Sequence, residues 1–177
     1  FARRGDDRRD LERLALADQV RHGVVVEHHL HGEAAARAGG RVLTDWVGKF
    51  KTSNKGPRDL VTEADLASQS EIRRIVLEAF PSHGFIGEES IAGHATPVDA
   101  SRPRLIVDPL DGTKEFISRN GEFTVNIALI EDGVPVLGFV YVPVLALLYY
   151  GGRELGAWKE SAGQLASIHT AALAKHQ

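Results

Sequence analysis

Two carboxylates stand three residues apart in Asp108-Pro109-Leu110-Asp111-Gly112-Thr113-Lys114-Glu115, directly after the apolar run Leu105-Ile106-Val107. Pro109 fixes its own φ and biases Asp108 toward an extended backbone. The turn that follows can bring Asp108 and Asp111 to one side, with the Leu110 carbonyl free of any helical duty. Carboxylates that close repel unless one is protonated or a cation lies between them. Hard oxygen donors suit magnesium, which keeps some of its waters and completes its shell from carboxylates and substrate phosphate. That is chemistry for attack on a phosphate ester. Gly112 removes a side chain where an anion approaches. The N–H groups of Gly112 and Thr113 fall at a helix start, where backbone donors and the dipole favour phosphate. Thr113 can also orient or deprotonate an attacking water. The competing structural reading makes Asp111 the cap of the helix that follows, with Glu115 in its first turn. Capping needs neither Asp108 nor Pro109.

Two further acidic elements lie upstream. Gly87-Glu88-Glu89-Ser90 follows an apolar pair, and Glu88 and Glu89 can serve one as a metal ligand and the other as a base beside it, or stand as a solvated loop pair. Thr62-Glu63-Ala64-Asp65 fits a capping box, which accounts for Asp65 without any function. A site gains its weight from all three acidic elements falling at strand ends or helix starts. His28, His29 and His31 are a third group; with no acidic or sulfur partner at matching spacing, they read as a solvated or frayed helix surface rather than a metal site.

The elements that must position these groups follow from periodicity. Residues 1–30 are charged, with weak helical periodicity at Leu11, Leu14, Ala15 and Leu16, and read as a loosely packed leader, leaving 31–177 as the domain. Ala34, Ala38, Val42, Leu43, Trp46 and Val47 predict an amphipathic helix over 33–50. Residues 51–57 are a polar loop, and Asp59-Leu60-Val61 is expected to be extended. Thr62 opens a second helix to about Ala79, with Leu66, Ile72, Ile75 and Val76 on one face, stopped at Phe80-Pro81. From Phe85 the period becomes that of strands: 85–86, 105–107, 123–129, 137–142, 147–150 and 157–159. A short helix covers 113–119, and Asp132-Gly133 turns a hairpin.

Composition narrows the class. The chain has 177 residues, 25% charged and 43% hydrophobic, with a net charge of -3. It can build one real core, and its charge gives no reason to expect nucleic-acid or membrane-surface partners. With no cysteine, disulfides and thiolate zinc sites are excluded. No apolar stretch is long enough to span a membrane and no secretory leader is evident, so a cytoplasmic location is expected.

Gly87-Glu88-Glu89-Ser90, Asp108-Pro109-Leu110-Asp111-Gly112-Thr113 and Leu60-Val61-Thr62-Glu63-Ala64-Asp65 together resemble the inositol monophosphatase superfamily of lithium-sensitive, magnesium-dependent phosphatases, over about 33–168. Lys114 to Ile117, Asn120 to Asn126 and Gly156 to Lys159 resemble the 3'(2'),5'-bisphosphate nucleotidase (CysQ-type) branch, whereas Phe85 to Ser90 is closer to the inositol monophosphatase pattern. The resemblance implies a layered α/β (α+β) fold, of which this chain holds the N-terminal half: two long helices on a largely antiparallel sheet. It implies that Glu88, Asp108, Asp111 and the Leu110 carbonyl bind two or three magnesium ions. Asp65 and Thr113, with Glu88, activate the water, and Gly112 and Thr113 hold phosphate. The implied reaction is hydrolysis of 3'-phosphoadenosine 5'-phosphate to AMP and phosphate, with inositol monophosphate as the alternative substrate. A homodimer and a small phosphorylated substrate are the implied partners. Lys55 lies one position away from a family lysine and is left outside the site. The family's second half, with a Trp-Asp-x-Ala-Ala-type motif whose aspartate completes a metal site, has no counterpart here. A truncated, non-catalytic domain that binds metal or phosphate is therefore the rival reading.

Overall fold

The computed structural model describes residues 7–49, 57–88, 101–153 and 155–171. Helix α1 spans Asp7–Lys49 and α2 spans Pro57–Ala79. Strand β1 (Gly84–Gly87) leads to β2 (Arg104–Asp111), then a six-residue helix α3 (Thr113–Ser118). Strands β3 (Thr124–Glu131), β4 (Val134–Val142), β5 (Leu147–Gly152), β6 (Gly156–Ser161) and β7 (Gln164–Ser167) complete the chain. The seven strands form one sheet in sequence order. Only β1 and β2 run parallel; every later pair is antiparallel. The layered α/β architecture with two long helices on a largely antiparallel sheet is as expected.

Strand alternation decides what the sheet faces. Leu105 and Val107 of β2, Val125, Ile127 and Leu129 of β3, Leu137, Phe139 and Tyr141 of β4 and Leu148 of β5 form one core with Ala35, Ala36 and Leu43 of α1 and Ala64, Ile72 and Val76 of α2. Both helices cover this face. The intervening residues point the other way, and Ile106 and Val140 are there 43% and 42% exposed. Helix α1 fits between α2 and β4 because small residues line it. A Cβ on Gly39 would lie 2.9 Å from Ser68 Oγ, and one on Gly40 would lie 2.6 Å from the Tyr141 ring. Arg37 locks the helix to the far strands, pairing with Glu33 at 2.9 Å and Glu160 at 2.8 Å under the Tyr141 ring.

Three expectations change. The expected boundary at 30/31 falls within a helix, since α1 runs continuously from Asp7 to Lys49. Good helix formers such as Leu, Ala, Arg and Glu extend a helix without an apolar stripe to announce it. Asp59-Leu60-Val61 is helical rather than extended, because α2 opens at Pro57, a residue suited to a first helical turn. Thr62 and Asp65 thus lie inside the helix, and the capping-box account of Asp65 fails. The histidines are not a solvated surface. His28 is 8% exposed. Its ring stacks on Phe80 at 4.3 Å and its Nε2 meets His83 Nε2 at 2.8 Å, while His29 packs against Tyr150 at 4.3 Å. Of the expected loop 51–57, Pro57 opens α2, while residues 51–56, Lys55 among them, and the segment 89–100 with Glu89 and Ser90 lie outside the described residues.

Candidate active site

The acidic residues converge because β2 is irregular. Asp108 is registered opposite Asn126, and Asp111 opposite Thr124, with the register shifting between them. Three steps along β2 answer two steps along β3, which defines a β-bulge. Without it, an odd interval would send the two carboxylates to opposite faces. With it, both share the face of Asn126 and Thr124, away from the helices. Pro109 suits this place, since it has no N–H for a ladder to lose. Two polar groups at the bulge find partners: the Leu110 amide donates to Asp108 Oδ1 at 3.2 Å, and the buried Ser68 hydroxyl donates to the Pro109 carbonyl at 3.3 Å. The Leu110 carbonyl falls within the bulge, where the register skips.

Glu88 joins the pair from the end of β1, which runs parallel to β2 and delivers it beside Asp108. Burial pushes the Asp108 carboxyl up to about 6; the negative charge of Glu88 adds to this, the Leu110 amide opposes it, and Asp111 and a hydrogen bond with Glu88 raise it further. On the same face, Asn126 Nδ2 donates to Asp111 Oδ2 at 3.1 Å. Asp65 enters from α2. It is 6% exposed, one turn before Ser68, on the helical face that packs against the bulge.

Gly112 and Thr113 sit where expected, at the start of α3, but the reason for the glycine differs. Gly112 has φ 95° and ψ 45°, and a Cβ there would lie 3.0 Å from the Glu122 carbonyl oxygen. Left-handed backbone and close packing require glycine at this position, before any ligand does. No side chain caps α3, so Asp111 is not its cap; it is the last residue of β2. Thr113 is exposed at the first turn.

Among the described residues, no three acidic or histidine side chains stand close enough to enclose a metal ion as they are. Glu88 lies beside Asp108 at the end of β1, and Asp111 accepts a hydrogen bond from Asn126. The donor set nevertheless fits a hard divalent cation. Three carboxylates and a bulge carbonyl offer only oxygen, and burial, then the charges of Glu88 and Asp111, hold Asp108 up at about 6. Sequence reasoning missed Asn126, Thr124 and Ser68 as supports of this site. Strand alternation placed the first two on the polar side of an apolar strand, but not opposite the acidic pair, since register is not written in one strand.

Known proteins carry the same arrangement of chain. The inositol monophosphatase family matches residues 26–176. The 3'(2'),5'-bisphosphate nucleotidase CysQ of Salmonella typhimurium is 44% identical over 133 residues, 74% of this chain and 53% of the relative. A fructose-1,6-bisphosphatase/inositol-1-monophosphatase of Aquifex aeolicus is 39% identical over 127 residues, 70% of this chain and 47% of its own length. The crystal structure of CysQ from Bacteroides thetaiotaomicron superposes with a TM-score of 0.62 at 34% identity, over 80% of this chain and 52% of that one. The chain thus spans about half the length of the relatives it matches. No helix among the described residues is long and apolar enough to cross a membrane. Family match, relatives and superposed fold agree that this chain is a member of the inositol monophosphatase family.

Proposed function

We propose that the protein is a phosphomonoesterase whose divalent cation, magnesium, is held by Glu88, Asp108, Asp111 and the Leu110 carbonyl. The observation that carries this reading is the bulge, which sets two acids on one face beside a third and leaves Asp108 raised to about 6. Magnesium bound there supplies positive charge to the phosphate oxygens and acidifies water. Asp65 and Thr113 hold the attacking water, whose oxygen forms the new bond to phosphorus as the ester P–O bond breaks and the alcohol leaves with a proton. Backbone N–H groups at Gly112 and Thr113 face the phosphate.

The substrate we favour is 3'-phosphoadenosine 5'-phosphate, yielding AMP and phosphate. Its support is the likeness of 114–117, 120–126 and 156–159 to the nucleotidase branch, together with the CysQ relatives. Inositol monophosphate is the second substrate class, supported by the Aquifex relative. A second reading is a binding domain without turnover, favoured by the absence, among the described residues, of three acids close enough together to enclose a cation.

The deciding experiment measures phosphate release from both substrates, with and without magnesium, in the chain and in Asp111→Asn. Release that needs magnesium, falls with lithium and disappears in the variant supports the enzyme and selects the substrate. A folded chain that binds magnesium and releases no phosphate supports the binding domain. Light scattering of the same samples tests the expected homodimer, to which the exposed Ile106 and Val140 side of the sheet offers an apolar surface.

A further inference from the structure

The orientation of Asp111 is fixed by an uncharged side chain on another strand. Asn126 Nδ2 donates to Asp111 Oδ2 at 3.1 Å, across fifteen residues of sequence. The amide is itself held. Thr124 Oγ1 donates to Asn126 Oδ1 at 3.1 Å, which leaves only the NH2 end of Asn126 free to face the carboxylate. Thr124 and Asn126 are alternate residues of β3, so both project from the same face, and the bulge brings Asp111 onto it. The result is a relay in one direction: hydroxyl to amide oxygen, amide nitrogen to carboxylate. It occupies one carboxylate oxygen and leaves the other for a ligand. The core on the opposite face is built from Val125 and Ile127, not from Thr124 or Asn126.

We propose that Asn126 is a positioning residue whose amide, steered by the Thr124 hydroxyl, holds the Asp111 carboxylate ready for a divalent cation. The inference rests on the cation-site reading of Glu88, Asp108 and Asp111. Supports of this kind change metal affinity by about 10- to 100-fold when removed, because an unheld ligand must be ordered at the moment of binding. They act on the cation, not on the stability of the metal-free chain.

The test is calorimetric titration of magnesium alone into metal-stripped protein, repeated with manganese by paramagnetic resonance, so that turnover is not needed. Asn126→Ala is expected to weaken magnesium about tenfold or more. Asn126→Asp keeps the shape but turns a donor into a negative charge, and is expected to disturb binding at least as much. Thr124→Val, which removes the steering hydroxyl, shows a smaller loss, and Thr124→Ser restores wild-type affinity. Metal-free melting temperatures of these variants stay close to the wild type. If Asp111→Asn loses binding while Asn126→Ala and Asn126→Asp bind as the wild type does, the inference is wrong and the cation site stands. If the wild-type chain takes up neither metal, the site reading falls and this inference with it.

Discussion

Replacing Asp108 by Asn removes a charge that the metal-free protein holds at a cost. Burial and the neighbouring Glu88 and Asp111 raise this carboxyl from 3.8 to about 6. At about 1.4 kcal/mol per pH unit, that difference corresponds to ~3 kcal/mol between the two protonation states. Asp108 keeps part of its surface in water, and solvent screening reduces the expected gain to ~1–2 kcal/mol. For a chain of this size that is ~3–6 °C in melting temperature. The sign follows from the direction of the change. A carboxyl raised in the folded state contributes stability below its unfolded value, and loses it as pH rises through the folded one. Wild type and Asp108→Asn therefore melt together near pH 4 and separate above pH 6, with the variant the more stable. Thermal unfolding followed by circular dichroism in EDTA, from pH 4 to 8, reads this directly. Magnesium should then reverse the order, because only the wild type gains from binding. A variant less stable than wild type in EDTA at pH 7.5 would refute the argument that the acids repel one another without a cation.

The remaining predictions concern the supports around the site. Burial, and then the charge of His28, lower the His83 pKa below 6.5. The neutral ring's contribution is thus present above 6.5 and lost as pH falls through the lowered value. Urea unfolding should show wild type losing ground to His83→Gln between pH 7 and pH 5, the opposite trend to that of Asp108. Gly112→Ala places a Cβ at φ 95° and 3.0 Å from the Glu122 carbonyl oxygen. We expect ~1–3 kcal/mol of destabilisation by the same urea assay. Arg37→Ala removes contacts to Glu33, Glu160 and the Tyr141 ring. It should cost ~1 kcal/mol, and half of that in high salt if the ion pairs carry it.

Much of this was legible wherever a local pattern and a tertiary demand agree. The run 105–107, the short helix after Thr113 and the strand beginning near Phe123 all fall where periodicity places them. The β3–β4 hairpin turns on Asp132 and Gly133, both at positive φ, as a tight two-residue turn demands. Illegible were the elements that bury little. Strand β7 (Gln164–Ser167) is exposed along its whole length, so nothing enforces an alternating pattern, and only pairing with β6 makes it a strand. The N-terminal part of α1 likewise has no stripe to read, with Val24, Val26 and Leu30 exposed. Within the site, the acidic residues could be found by type and spacing. Asn126 and Ser68 could not, because their roles exist only once register and helix packing bring them to the bulge.

The spacing of the two aspartates is better understood as the signature of a bulge than of a turn into a helix. An interval of three puts side chains on opposite faces of a regular strand, and both aspartates on one face of an irregular one. Proline is tolerated at the irregularity because no N–H is missed there, and two polar groups at the bulge are taken up by Asp108 and Ser68. Yet what the bulge achieves is unfavourable in itself: it gathers negative charge and raises Asp108 toward neutrality. A fold that concentrates repulsion in its side chains has placed that repulsion where a cation can relieve it.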